Sequence, residues 1–335
     1  MKSYAIESFG IDGLKVVERP AAKPGHGQVL VRWKAFSLNF RDLMVIKGIY
    51  NPKLRLPMAP LSDGAGVIEA VGEGVTRVKV GERVTSVFLQ DWHGGGLTDA
   101  LTRSALGGAI DGVLSEASVL SEQGVLPFPE HLGFEEAATL PCAALTAWNA
   151  LISSGDLKAG DTVLVQGTGG VSLFALQFAK MSGARVVATS SSDAKLARAR
   201  ELGADVLINY KTTPEWGDAA RKLTGGVGVD HVVEVGGAGT YAQSMRAVRA
   251  GGRISVIGVL AGGGGQISLL PMLMRNLVAQ GIFVGSRDML EAMNRAIAMH
   301  KMRPVIDRTF GFHEVAEALR HMESGSHFGK IVVTM

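Results

Sequence analysis

Thr162-Val163-Leu164-Val165-Gln166-Gly167-Thr168-Gly169-Gly170-Val171-Ser172 is the stretch on which the fold turns. Its apolar start reads as a strand buried on both faces, of the kind found in parallel sheets covered by helices. Gly167, Thr168, Gly169, Gly170 and Val171 make a tight turn, and Phe174-Ala175-Leu176-Gln177-Phe178-Ala179-Lys180 resumes as a helix. The pattern is G-x-G-x-x-S. The first Gly permits the turn, the second lets the backbone approach a pyrophosphate, and Ser172 supplies the small residue that helix–strand packing needs. A helix beginning there aims unsatisfied N–H groups at an anion.

Working outward, the same alternation continues. Arg185–Thr189, Val206–Ile208, His231–Val235, Arg253–Ile257 and Ile282–Val284 read as further strands, separated by helical stretches such as Ala194–Leu202. Six strands in this rhythm predict a doubly wound Rossmann domain over residues 128–285. About 20 residues beyond the glycine turn, NAD enzymes usually carry an acid for the ribose hydroxyls. Here that position is Ser190, within Thr189-Ser190-Ser191-Ser192-Asp193-Ala194-Lys195. A carboxylate there would repel a 2′-phosphate, whereas the hydroxyls of Ser190 and Ser191 with the ammonium of Lys195 would hold one. The expected cofactor is NADP(H). Ser192 or Asp193 is also expected to cap the helix that follows.

Upstream the rhythm is different. Gln28–Trp33, Gly66–Gly72 and Gly81–Val87 are short β-type runs punctuated by Gly and Pro, which predict a mostly antiparallel β domain over residues 1–127. Met1–Glu7 reads as a strand and not as a signal peptide. Residues 90–115 are Gly-rich and irregular, as in a lid or binding loop. From residue 286 two amphipathic helices and the run Lys330–Val333 are expected to return to the first domain.

Bulk properties narrow the class. The 335 residues are 47% hydrophobic and 19% charged, a folded globular composition. A net charge of +3 without a long basic run argues against a nucleic-acid partner. Cys142 is the only cysteine, so no intrachain disulfide and no cysteine-rich zinc site can form, and a cytoplasmic, reducing setting is expected. No apolar stretch approaches the ~20 residues of a membrane span.

Together these stretches resemble the medium-chain dehydrogenase/reductase superfamily, and within it the zinc-independent quinone oxidoreductase branch. The matching segments are Ser37-Leu38-Asn39-Phe40-Arg41-Asp42-Leu43, Asp63-Gly64-Ala65-Gly66-Val67-Ile68, Gly72-Glu73-Gly74-Val75, Pro141-Cys142-Ala143-Ala144-Leu145-Thr146-Ala147-Trp148, the glycine turn, and Gly329-Lys330-Ile331-Val332. The resemblance covers essentially the whole chain. It implies a GroES-like, mostly β catalytic domain beside the Rossmann domain, an active-site cleft between them, and a homodimer joined through Rossmann edge strands, with Arg253 to Gly258 near that edge. It implies that Lys195 and Tyr210 contact the 2′-phosphate. It places Gly258, Val259, Leu260, Phe283 and Val284 at the nicotinamide pocket, and Lys330 among the cofactor-binding residues.

The zinc-dependent relatives implied by the same resemblance set Cys, His and Cys around their catalytic metal. Asn39, Ser62 and Cys142 stand at those positions here, and one thiolate with an amide and a hydroxyl makes a poor zinc site. The site is therefore read as metal-free. Without a Lewis acid, a developing oxyanion is held by hydrogen-bond donors alone. Acceptors whose product anion is delocalised suit such a site, namely quinones and α,β-unsaturated carbonyls. Tyr50 and Asn39 are the candidate catalytic donors. The spacing before Tyr50 resembles the Gly-x-Tyr of enoyl-thioester and quinone reductases, and a phenol can protonate an enolate carbon or a quinone oxygen. Asn39 can orient substrate or ribose, or simply cap the helix at Arg41. Asp63 is expected to be structural, paired with Arg41. The alternatives are an NADP-dependent alcohol or aldehyde dehydrogenase of the zinc type, and an NADPH-binding crystallin-like or RNA-binding protein.

Overall fold

The strands of the computed structural model form three sheets: a two-stranded pair, a seven-stranded sheet and a six-stranded parallel sheet. The structure describes residues 1–20 and 22–335, and these divide into unit 1, Met1–Leu145 with Gly285–Met335, and unit 2, Thr146–Val284.

Unit 1 opens with an antiparallel pair, β1 (Lys2–Ile6) and β2 (Leu14–Glu18). Its main strands are β3 (Gln28–Ser37), β4 (Asp63–Val71), β5 (Arg83–Ser86), β6 (Ala117–Ser121) and β7 (Val125–Pro127). β3 is the spine. It pairs antiparallel with β4 from Val29↔Val71 to Ser37↔Asp63, so the β4 end that carries Asp63 meets the β3 end that leads to Asn39. Val29, Val31, Trp33, Phe36, Ile68 and Val84 are buried in one core, which removes enough apolar surface to fix the register. The stretch 90–115 is irregular, as expected from its glycines, but it is anchored in the unit. Its ends are inside the unit, with Trp92, Leu106, Val113 and Leu114 buried, and a one-turn helix, Asp99–Thr102, interrupts it. Gly112 and Val113 donate backbone hydrogen bonds to Ala59 and Leu61. Residues 95–100 and 109–111 face solvent.

Unit 2 contains β8 (Thr162–Gln166), β9 (Arg185–Ser190), β10 (Val206–Asn209), β11 (Val229–Glu234), β12 (Val248–Val256) and β13 (Val278–Gly281). All are parallel, in the order β10-β9-β8-β11-β12-β13. Leu164, Val187, Ile208, Val232 and Ile254 fill the interior. The strand order reverses between β8 and β11, and ligands of open α/β sheets bind outside the carboxyl ends at such a point. One expectation is overturned. The sixth strand is Val278–Gly281, not Ile282–Val284, because Arg253 pairs with Val278 and Val256 with Gly281. β13 is therefore the edge, and the end of β12 from Arg253 to Val256 is paired beside it, near the edge as expected. An edge strand need not be apolar, so the half-polar residues of β13 carried no strand signal.

The chain then returns to unit 1 through the helices Arg287–His300 and Val315–Glu323 and the strands β14 (Ile306–Gly311) and β15 (Lys330–Thr334). β15 pairs antiparallel with the last residues of β3, which puts Lys330 at the level of Leu38 and Asn39. The completed sheet runs β14-β15-β3-β4-β5-β7, with β6 also on β3. Residues 128–145, expected in the Rossmann domain, cluster with unit 1, where the helix Phe134–Ala138 packs on β3 and β4. Nothing in the composition marks that boundary. No helix among the described residues is long and apolar enough to cross a membrane.

Candidate functional site

Each unit carries a polar construction of its own. In unit 2, β8 ends at Gln166 and the helix Gly170–Met181 begins four residues later. Gly167 has φ +71°, a left-handed conformation that disfavours any side chain. A Cβ added at Gly167 or at Gly169 would meet no atom within 4 Å. The turn thus presents an empty cradle in front of a helix N-terminus, as a pyrophosphate requires. Thr168 is buried in the turn. Ser172 does more than stand in for a glycine: its Oγ donates to the Gln166 carbonyl at 2.6 Å and ties the helix to the strand.

The end of β9 lies one strand away. Gly167 N donates to the Thr189 carbonyl at 2.8 Å. Ser190 is buried, its Oγ accepts from Ser192 N, and its carbonyl accepts from Tyr210 N at 3.0 Å. Ser192 caps the helix Asp193–Glu201 by accepting from Lys195 N. Ser190, Ser191, Lys195 and Tyr210 therefore cluster at adjoining strand ends, with the Tyr210 side chain about half exposed. Gly258, Val259 and Leu260 follow β12, and Ile257 N and Leu260 N donate to the carbonyls of Glu234 and Val235. Val284 is buried with φ +55°, and its carbonyl accepts from Asn149 Nδ2. Phe283, next to it, is partly buried.

In unit 1 the chain gathers a buried polar cluster where β3, β4 and β15 meet. Asn39 caps the helix Phe40–Ile46, and its N–H donates to Asp42 Oδ2 at 2.8 Å. Lys330 is 3% exposed, and its Nζ donates to the Leu38 carbonyl and to Asn39 Oδ1, both at 2.5 Å. With its oxygen engaged by an ammonium, the Asn39 amide can only donate through Nδ2, which is buried and has no partner at hydrogen-bond distance among the described residues. Asp63 is fully buried; Ser62 Oγ donates to it at 2.7 Å and Cys142 N at 3.2 Å. Burial pushes the Asp63 carboxyl up, opposed first by the Lys330 charge and then by the nearby Asn39 amide and Ser62. Burial likewise pulls the Lys330 ammonium down, opposed first by Asp63. Asp42 is pushed up to about 6 by burial, against the Arg41 charge.

Asp63 does not pair with Arg41 as expected. Arg41 turns the other way, donating to the Leu106 carbonyl at 2.8 Å and reaching Asp42 at 3.4 Å. Its guanidinium lies 4.9 Å from the Phe88 ring centre and 5.3 Å from that of Tyr50, both cation–π distances. Gly108 makes room for it, since a Cβ there would fall 1.9 Å from Nη2. Tyr50 is 41% exposed beneath this guanidinium. Asn39, Ser62 and Cys142 do come together, around Asp63, but their chemistry does not fit zinc. The amide oxygen is held by a cation, the hydroxyl donates to Asp63, and burial pushes the Cys142 thiol far up, favouring its protonated form. Among the described residues no group of three or more His, Cys, Asp or Glu could hold a metal ion.

Sequence reasoning missed the partners that organise both constructions. In unit 1 it assigned Lys330 to the cofactor and did not connect it with Asp63. In unit 2 it passed over Gln166 and Glu234. The available signal was a polar residue closing the apolar runs Val163–Val165 and Val232–Val233, where burial demands a partner.

Residues 25–130 match the alcohol dehydrogenase GroES-like domain family, and residues 170–299 match the zinc-binding dehydrogenase family. A zinc-type alcohol dehydrogenase-like protein of Schizosaccharomyces pombe is 47% identical, over 98% of this chain and 96% of that protein. The crystal structure of an NAD-dependent alcohol dehydrogenase superposes with a TM-score of 0.91 at 36% identity, covering 100% of both chains. A quinone oxidoreductase of Pseudomonas syringae superposes with a TM-score of 0.84 at 28% identity, over 100% of this chain and 99% of that one.

Proposed function

Because the chain belongs to the medium-chain dehydrogenase/reductase superfamily, we propose that it is an NADPH-dependent oxidoreductase that reduces quinones or α,β-unsaturated carbonyls without a metal. The observation that carries this reading is the contact between Lys330 and Asn39 inside unit 1. A buried ammonium and a committed amide oxygen stand where zinc-dependent relatives would need anionic or lone-pair ligands, and a second cation would be repelled. Polarisation of a simple carbonyl by a Lewis acid is then replaced by hydrogen bonding, which suits acceptors whose product anion is delocalised.

When bound, the dihydronicotinamide supplies the hydride. The glycine turn and the first N–H groups of Gly170–Met181 would bind the pyrophosphate. Ser190, Ser191, Lys195 and Tyr210 would hold the 2′-phosphate, and no carboxylate at Ser190 repels it. Tyr210 meets Ser190 through a backbone hydrogen bond, which supports their joint action. Gly258, Val259, Leu260, Phe283 and Val284 would line the nicotinamide. Tyr50, half exposed beneath Arg41, is the proposed proton donor. Asn39 Nδ2 is a fixed donor for substrate or ribose. The proposed assembly is a homodimer, supported by the exposed side chains of Leu269, Leu270, Leu273 and Met274 in the segment that leads into edge strand β13, since such a patch marks an interaction surface. A cytoplasmic setting accords with the single, buried Cys142.

A second reading, alcohol–aldehyde interconversion with NAD(H) or NADP(H), is favoured by the zinc-type alcohol dehydrogenase-like relative. Consumption of NADPH and NADH is to be followed with quinones, enones, enals and aldehydes, alongside the metal content of the purified protein. The expected outcome is NADPH-selective reduction of quinones or enones, indifferent to chelator. Activity abolished by chelator and restored by zinc would overturn the metal-free reading, and equal use of NADH would overturn the phosphate assignment.

A further inference from the structure

Glu234 closes β11 and is fully buried. No cation pairs with it among the described residues; instead it accepts five hydrogen bonds. Gly236 N (2.8 Å), Gly237 N (2.9 Å) and Thr240 Oγ1 (2.6 Å) reach Oε1, while Gln166 Nε2 (2.7 Å) and Ser244 Oγ reach Oε2. Gln166 is equally committed. Its Nε2 also contacts Ser244 Oγ at 2.7 Å, and its Oε1 accepts from Val235 N and Gly236 N, both at 3.2 Å.

These two side chains stand at the last positions of β8 and β11, the neighbouring strands between which the sheet order reverses. Gln166 is followed at once by the glycine turn, and Glu234 by the turn Val235–Gly237. A third loop depends on the second: Ala261 N donates to the Gly236 carbonyl at 2.7 Å, and Ala238 N to the Gly262 carbonyl at 3.0 Å. One buried carboxylate–amide contact therefore joins the three loops at the carboxyl ends of β8, β11 and β12. A packed interior without this pair would need no polar group here, and burying two of them is costly unless each is satisfied.

We propose that Gln166 and Glu234 are a positioning pair that holds the pyrophosphate turn and the 257–262 loop in the geometry that binds the dinucleotide. The proposal rests on the cofactor reading above. Neither side chain touches the cofactor in this role; both act through the loops they tie.

The network has a direction that can be reversed. In E234Q, two carboxamides face each other, and one NH2 group must oppose either the other NH2 or, if Gln166 flips, the N–H groups of Val235 and Gly236. In the exchanged pair Q166E/E234Q, the new amide NH2 at position 234 donates to the new carboxylate at position 166. The amide oxygen at position 234 still accepts from Gly236, Gly237 and Thr240. Ser244 keeps one donor and one acceptor, and the carboxylate at position 166 still receives Val235 N and Gly236 N. Titration calorimetry with NADPH on the intact chain gives the readout. E234Q is expected to weaken binding by roughly tenfold or more, the weight of leaving a buried group unpaired, and to raise the dinucleotide KM while kcat changes by less than about twofold. The exchanged pair is expected to return to within about twofold of the natural chain. Binding by E234Q at natural strength overturns the proposal, as does an exchanged pair that fails to fold or binds as weakly as E234Q. If E234Q itself does not fold, the exchanged pair alone decides. A natural chain that binds neither NADPH nor NADH would remove the cofactor reading instead, and shows this before any variant is made.

Discussion

Unit 1 and unit 2 each bury a carboxylate completely, and they stabilise it by opposite means. Asp63 sits near a buried ammonium, with Asn39 between the two charged groups in the cluster. Glu234 has only neutral donors, two of them backbone N–H groups of a glycine turn. A charge balanced by a charge is vulnerable to the loss of one partner, because the other is left uncompensated in a low-dielectric interior. A charge balanced by dipoles distributes the same load over several hydrogen bonds, and most of these also set loop geometry. The first arrangement sets a buried ammonium against a buried carboxylate within one cluster. The second leaves an open cradle beside it, where a Cβ at Gly167 or Gly169 would meet no atom within 4 Å.

The sharpest way to break this contrast is at Lys330. K330M strands Asp63 and orphans the Leu38 carbonyl, and should cost about 3–5 kcal/mol in urea unfolding. K330M/D63N should cost clearly less than K330M alone, since it removes both charges. A single variant within about 1 kcal/mol of the natural chain would show that the two groups do not balance each other.

The next largest effect carries unit 1's device into unit 2. S190D places a carboxylate at the end of β9, where unit 2 now has only hydroxyls. It should shift the ratio of kcat/KM for NADPH over NADH by about 10- to 100-fold toward NADH, the weight of one charge-assisted hydrogen bond. An unchanged ratio would remove Ser190 from the phosphate site.

Filling the cradle is a milder test. Gly169 has φ −78°, which an alanine adopts without strain, and its Cβ would enter open space. G169A should weaken dinucleotide binding by roughly tenfold and leave thermal stability unchanged or slightly raised. A drop in Tm with unaltered binding would mean that the turn is structural only.

The smallest effect lies at the opposite end of the unit 2 sheet, where His231 is buried 3.5 Å from Asp161. Burial holds its pKa below the ordinary 6.5, with the Asp161 and Asp230 charges opposing. Because the folded chain resists protonating it, its contribution to stability is complete above 6.5 and falls as pH drops below that value toward the depressed folded pKa. Urea midpoints measured from pH 8 down to 5 should fall more steeply for the natural chain than for H231Q. Parallel curves would sink the assignment.

The period of the apolar runs and the glycine turn at 167–170 determine, without reference to any other part of the chain, a parallel sheet with a dinucleotide-type turn, because strand burial and turn geometry are local demands. The cap at Ser192 or Asp193 and the antiparallel character of the first unit are equally local, each written in residue types within a few positions. Only the tertiary structure decided what partners Asp63, Glu234 and Arg41. Lys330 stands far along the chain from Asp63, and β15 brings it there by pairing with the end of β3. The edge at Val278–Gly281 and the burial of 104–107 and 112–115 were hidden for the same reason. An edge strand and a buried loop are defined by what lies beside them, and hydrogen bonding across a sheet has no signature in the spacing of one sequence.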